Sequence, residues 1–226
     1  MNFKLLATDI DGTITDEKGR IHLKAAETIR GLEDRGIIVT LVSGRPLPFV
    51  ESLSLFLGTS GPVIAENGAV MKIGHEEPLL LGDPQAARGA LEELKKHFAM
   101  EFDDDNRYRM VDISIQKTLD PEPVQAYITA HRLPVDLLVT NVMLHLVDNK
   151  VSKGNGVKKV LQHLKIDPSE TLVSGDSFND IPLFEIGATG LAVANAPDEL
   201  KKRAKYVSES CCGAGFAEMI QRVSAQ

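Results

Sequence analysis

Phe3-Lys4-Leu5-Leu6-Ala7-Thr8-Asp9-Ile10-Asp11-Gly12-Thr13, residues 3–13, is the stretch whose reading decides the fold. A short apolar run ends at an acid, a second acid follows two residues on, and a glycine turn closes the segment. An apolar run of this length bounded by turn residues reads as a buried strand with a polar cluster at its carboxyl end. Residues 22–35 then show helical spacing through Leu23, Ala26, Ile29 and Leu32, and Gly36 ends that helix. Ile37 to Val42 is a second apolar run, stopping at Ser43-Gly44, and Pro46 opens a helix to about Leu57. Pro62 to Ala65 is a third strand, ending at Glu66-Asn67-Gly68. Strands that alternate with helices and are apolar throughout imply a parallel sheet covered on both faces.

The same rhythm returns after residue 150: a helix over Gly156 to Leu164, a strand over Thr171 to Ser174 ending at Gly175-Asp176, a helix over Ile181 to Ile186 and a strand over Gly190 to Ala194. Between the halves the character changes. A helix spans Ala86 to Phe98, Tyr108 to Gln116 alternates like a strand, a second helix follows Pro121, and Leu137 to Val147 gives one or two strands with a hairpin turn at Thr140-Asn141. The expected architecture is a doubly wound α/β parallel-sheet core, residues 1–82 and 151–226, with a smaller α+β insertion at 83–150. The crossings fall at Pro84 and at Lys150 to Gly154.

Ligands of open α/β sheets bind beyond the carboxyl ends of the strands. Four such ends here carry polar or acidic residues: Asp9 to Thr13, Ser43-Gly44-Arg45, Glu66-Asn67-Gly68 and Gly175-Asp176-Ser177-Phe178-Asn179-Asp180. One acidic residue after a strand is explained by helix capping, but four convergent clusters are not. Converging carboxylates repel unless a cation lies among them, and Asp9, Asp11, Asp176 and Asp180 offer the hard oxygens that Mg2+ takes. The six histidines are scattered and the two cysteines adjacent, which disfavours zinc. Lys153, beside Gly154 just ahead of a helix, supplies an ammonium that can bridge an attacking carboxylate and a phosphate oxygen.

In order and spacing, Asp9-Ile-Asp11-Gly-Thr-Ile, Ser43, Lys153-Gly154 and Gly175-Asp176-Ser-Phe-Asn179-Asp180 resemble the four motifs of the haloacid dehalogenase superfamily of phosphohydrolases, over nearly the whole chain. The resemblance implies that Asp9 attacks phosphorus to form an aspartyl phosphate and that Asp11 is the general acid and base, its acidic neighbourhood favouring the protonated form. It further implies that Ser43, Gly44, Lys153 and Asn179 bind the phosphate. Mg2+ would sit on Asp9, the Asp11 backbone carbonyl, Asp176 and Asp180. The insertion takes the place of this superfamily's larger α/β cap, which excludes water and selects the leaving group. Among capped members the chain is similar to archaeal-type phosphoglycolate phosphatases, and also to sucrose-phosphate and broad sugar phosphatases. The substrate so implied is 2-phosphoglycolate, with Arg107, Arg109 and His145 as cap residues able to meet its carboxylate, and Arg45 either near the phosphate or bracing the loop.

Composition narrows the alternatives. With 226 residues, 43% hydrophobic and 25% charged, the chain can build a substantial core. A net charge of −7 without a Lys/Arg block argues against nucleic acid, and the absence of a long apolar run argues against a membrane. No secretory signal is visible and Cys211-Cys212 are poorly placed for a disulfide, so a cytoplasmic protein, monomer or homodimer, is expected. A phosphomutase would share the nucleophile and the metal. A signalling receiver would lack both the insertion and the second aspartate, and a non-catalytic phospho-ligand module would have lost part of the motif set.

Overall fold

The computed structural model describes residues 3–140 and 143–224. The first part of the chain runs β1 (Leu5–Thr8), α1 (Leu23–Glu33), β2 (Ile38–Leu41), α2 (Leu47–Leu57), β3 (Val63–Ala65), β4 (Val70–Lys72) and β5 (Leu79–Leu80). The middle comprises α3 (Pro84–Leu94), β6 (Ile113–Gln116), α4 (Pro121–Ala130), β7 (Val135–Val139) and β8 (Met143–Asp148). The last part is α5 (Lys153–Leu164), β9 (Thr171–Gly175), α6 (Ile181–Phe184), β10 (Thr189–Ala192), α7 (Asp198–Lys201), β11 (Tyr206–Val207) and α8 (Cys212–Ser224).

A parallel sheet of order β11-β10-β9-β1-β2 forms the centre. β1 lies between β2 and β9, with Leu5 opposite both Ile38 and Thr171. The chain builds outward from β1 in both directions, so β1 is the switch point beside which such sheets bind ligands. Its four residues are all buried because neither face is wet. Leu6 turns to one side with Val39, Leu41 and the apolar faces of α1 and α8, while Leu5, Ala7 and Val173 turn to the other, onto Val157, Val160 and Leu161 of α5.

The third expected strand is present as β3, and the turn after it sends the chain back. β3 joins the edge of the main sheet through a parallel bridge from Ile64 to Val42, then pairs antiparallel with β4, and β4 with β5. Glu66, Asn67 and Gly68 hold φ of 51°, 58° and 102°, and three successive left-handed residues reverse the chain. α5 begins at Lys153 rather than Gly156, because Ser152 caps it by accepting from the Asn155 amide. Gly154 reads like a boundary but lies inside the helix, where an added Cβ would overlap the Pro182 carbonyl.

In the middle segment β6-β8-β7 form an antiparallel sheet, and α3 and α4 cover it with Ala87, Ala90, Leu94, Val124 and Ile128 against Leu144 and Leu146. Both helices start at an aspartate cap followed by proline, Asp83-Pro84 and Asp120-Pro121. α3 ends at Leu94, and residues 95–97 continue as a turn. Of the stretch expected to be a strand over Tyr108 to Gln116, only Ile113–Gln116 is one, and Asp104–Tyr108 is a 3-10 coil. β7 and β8 form the expected hairpin, with the Thr140 amide donating to the Met143 carbonyl; Asn141 lies outside the described residues. No helix among the described residues is long and apolar enough to cross a membrane.

Candidate active site

β1, β2 and β9 deliver Asp9, Ser43 and Asp176 to one end of the sheet, and the first turn of α5 delivers Lys153. Lys153 is buried, yet its Nζ lies 2.6 Å from Asp9 Oδ1 and 2.6 Å from Asp180 Oδ1. Burial works against its charge, but Asp180 and Asp9 more than offset this and hold the lysine above its ordinary range. Asp180 Oδ2 accepts from the Asp176 and Ser177 amides, so both of its oxygens are engaged and the loop after β9 is fixed around it.

The balance of charge is the main electrostatic fact of the site. Three buried carboxylates, Asp9, Asp176 and Asp180, have oxygens within 4.8 Å of one another and face a single ammonium. Burial first, then the surrounding carboxylates, pushes Asp9 well above the usual carboxylate range despite Lys153. Burial and then Asp180 push Asp176 up to about 7. This cluster is short of positive charge and offers only hard oxygens, which fits a divalent cation of the Mg2+ kind.

Two further residues complete the cluster, and neither was singled out in the sequence. The Thr13 hydroxyl lies 3.1 Å from Asp9 Oδ2 and 3.2 Å from Asp176 Oδ1, bridging the two acids. Asn195 Nδ2 donates to Asp176 Oδ2 at 3.1 Å and to the Gly12 carbonyl at 3.0 Å. Thr13 stood in the first motif, and Asn195 follows β10 as the other site residues follow their strands, so the same signal marks both. Gly12 holds φ 81°, and an added Cβ would run into the Asp176 carboxyl, so this turn requires glycine. The cysteines also find a place: the Cys212 amide donates to Asn195 Oδ1 at 2.8 Å. Burial pushes the Cys212 thiol up to about 12, and the residue serves through its backbone.

Asp11 is placed differently from its neighbours. Arg45 Nε and Nη2 each donate to its carboxylate at 2.7 Å, a bidentate pair at the half-exposed rim, where an acidic neighbourhood was expected. Arg45 therefore braces the turn after β1. Ser43 is buried, and its Oγ accepts from the Arg45 amide at 3.1 Å. Asn179 Nδ2 donates to Asn67 Oδ1 at 3.1 Å, joining the loop after β9 to the turn after β3.

Asp9, Asp11, Ser43, Lys153, Asp176 and Asn179 line a cavity of about 210 Å³ that Asp105, Arg109 and His145 close from the middle segment. Glu66 ties that segment down: its buried carboxylate accepts from the amides of Met110, Val111 and Asp112 at 2.8–3.0 Å. Burial and then Asp112 raise the Glu66 carboxyl.

A parallel sheet whose central strand presents a lysine-paired aspartate within an all-carboxylate cluster defines a carboxylate-centred α/β enzyme. The chain belongs to the haloacid dehalogenase-like hydrolases, whose family pattern matches residues 6–108 and 132–220. It is 39% identical to a phosphoglycolate phosphatase of Methanoculleus marisnigri, over 97% of this chain and 96% of that one. It is 34% identical to a phosphoglycolate phosphatase of Methanothermobacter thermautotrophicus, over 97% and 98%. A solved structure from Thermoplasma acidophilum superimposes with a TM-score of 0.91 at 30% identity, covering 99% of each chain.

Proposed function

We propose that this enzyme is a Mg2+-dependent phosphatase that hydrolyses a small phosphate monoester, 2-phosphoglycolate, through an aspartyl phosphate on Asp9, working in the cytoplasm. The observation that carries this reading is Asp9, held at 2.6 Å by Lys153 inside a cluster short of positive charge. Asp9 attacks phosphorus as the ester P–O bond breaks, and Asp11, released from Arg45 and protonated from solvent, gives that proton to the leaving oxygen. Asp11 then takes a proton from the water that attacks the acyl phosphate, which frees phosphate and restores Asp9. Ser43, Gly44, Lys153 and Asn179 hold the phosphoryl oxygens. Bound by Asp9, Asp176 and the Asp11 carbonyl, with Asp180 behind them, Mg2+ would offset the charge of nucleophile and phosphate. Residues 83–150 act as the cap over a core of 1–82 and 151–226. A cavity of about 210 Å³ suits a small ester better than the drug-sized ligands that fill roughly 300–1,000 Å³.

The test is phosphate release from 2-phosphoglycolate, sugar phosphates, a nucleotide and an aryl phosphate, with Mg2+ and with chelator. Mg2+-dependent preference for 2-phosphoglycolate is expected. Even activity across the panel removes the substrate assignment, and transfer to a sugar in place of water makes the enzyme a mutase.

The raised acids also predict how metal and pH act on stability. Asp176 titrates near 7 when folded against an ordinary 3.8, so its contribution to stability is complete below the lower value and is lost as pH rises through the higher. The melting temperature in chelator should therefore fall between about pH 5 and pH 8 by at least about 2–4 °C. Mg2+ should raise it more at the higher pH, since the ionised acids bind the cation. Scanning calorimetry at both pH values checks this, and an equal Mg2+ effect at both would contradict the charge balance.

A further inference from the structure

Arg107, Arg109 and His145 compete to meet a carboxylate on the leaving group, and their surroundings separate them. Arg107 lies outside the cavity lining, with its guanidinium over the Tyr108 ring at 4.7 Å. Arg109 lines the cavity, but its donors are committed. Nε and Nη2 serve Asp105 at 3.0 and 2.8 Å, and Nη1 serves Asp112 at 2.5 Å and the Gly44 carbonyl at 3.0 Å. With its side chain only 4% exposed, it is a tie between cap and core.

His145 stands otherwise. It projects from β8 into the cavity lining while 5% exposed. Its Nδ1 is 3.3 Å from Asp112 Oδ2 but off the line of a well-formed hydrogen bond, so this buried nitrogen lacks a full partner. Nε2 has no hydrogen-bond partner among the described residues. Asp112 itself is firmly held by Arg109 and by Asn67 Nδ2 at 3.0 Å. Burial opposes the Asp112 charge, but Arg109 and His145 bring its carboxyl below the usual range, so it faces the ring as an anion.

We infer that His145 is the specificity-determining residue of the cap, an imidazole set on Asp112 that binds a carboxylate of the leaving group through Nε2. The inference rests on the phosphatase reading and deepens it. A carboxylate at Nε2 places the ring between two acceptors, the arrangement in which both nitrogens donate. A neutral hydroxyl at the same position makes no comparable demand.

Two substrates of nearly equal shape isolate this contact: 2-phosphoglycolate and 2-hydroxyethyl phosphate, which carries a hydroxymethyl group where the first has its carboxylate. His145→Gln and His145→Ala in the full chain with Mg2+ are expected to raise KM for 2-phosphoglycolate about 10- to 100-fold, the effect of one charge-assisted hydrogen bond, with kcat nearly unchanged. Both kinetic constants for 2-hydroxyethyl phosphate should move less than about threefold. Asp112 keeps Arg109 and Asn67 in either variant, so no buried charge is orphaned and both should melt near the wild type. Equal losses on the two substrates, or none on either, overturn the inference. A wild type that prefers 2-phosphoglycolate and variants that keep that preference overturn it alone and leave the phosphatase standing. A wild type that treats the two substrates equally overturns it together with the substrate assignment.

Discussion

Asp9→Asn is expected to abolish phosphate release, lowering kcat on the order of 10⁴-fold or more, while the protein folds normally. The carboxamide is isosteric and can accept from Lys153 Nζ at the position where the carboxylate sits at 2.6 Å, but it cannot displace an alkoxide from phosphorus. The fold should not suffer, because burial and neighbouring acids already make an ionised Asp9 unfavourable. In the absence of metal the variant should melt at or above the wild-type temperature. Mg2+ should stabilise it less, since a ligand charge is gone. Hydroxylamine trapping adds a second readout, giving an acyl adduct from wild type with substrate and none from the variant. A variant that kept more than about a hundredth of wild-type turnover after contaminating phosphatase was excluded would remove Asp9 as nucleophile.

Asp9 was legible from the sequence because a parallel central strand must be apolar on both faces, so the first acid after it marks where the chain leaves the core. The same rule located Ser43 and Asp176, and the order of the sheet brings these three strand ends together. It also placed β3 and its end at Glu66, but not the reversal that follows, because left-handed φ at Glu66 and Asn67 cannot be recognised from side-chain polarity. β4 and β5, at three and two residues, are shorter than any period can register. Gly154 misled because a helix interior disfavours glycine unless another backbone approaches, and the approach of Pro182 is a tertiary fact.

Within the site, spacing showed which residues converge but not how they pair. Asp11 is two residues from Asp9, yet one acid is buried against Lys153 and the other lies at the rim in the grasp of Arg45. The cap candidates behaved likewise. Arg109 reaches Asp112 from three positions away, whereas His145 is distant in sequence and only the antiparallel pairing of β6 with β8 brings it to the same carboxylate. One carboxylate thereby commits the arginine to structure and leaves a ring nitrogen free.

Lys153→Met should produce the other large effect, on stability and activity together. Removing one partner of a buried ion pair costs about 3–5 kcal/mol, because the charges left behind are neither paired nor hydrated. Here Asp180 would lose the contact that sets its first oxygen, and Asp9 and Asp176 would lose the one ammonium that favours their ionised forms. The melting temperature in chelator should fall by about 6–20 °C at neutral pH. The loss should be smaller at acid pH, since Asp9 and Asp176, already raised, take up protons in place of the missing ammonium. Saturating Mg2+ should recover much of the stability but not the rate, which should stay about 10²- to 10⁴-fold down, because the cation cannot also stand where Nζ orders the nucleophile. That split separates two roles of one side chain. A variant that melts like the wild type in chelator would mean the acids do not carry their charge there. Wild-type turnover in Mg2+ would mean that the lysine balances charge and takes no part in the chemistry.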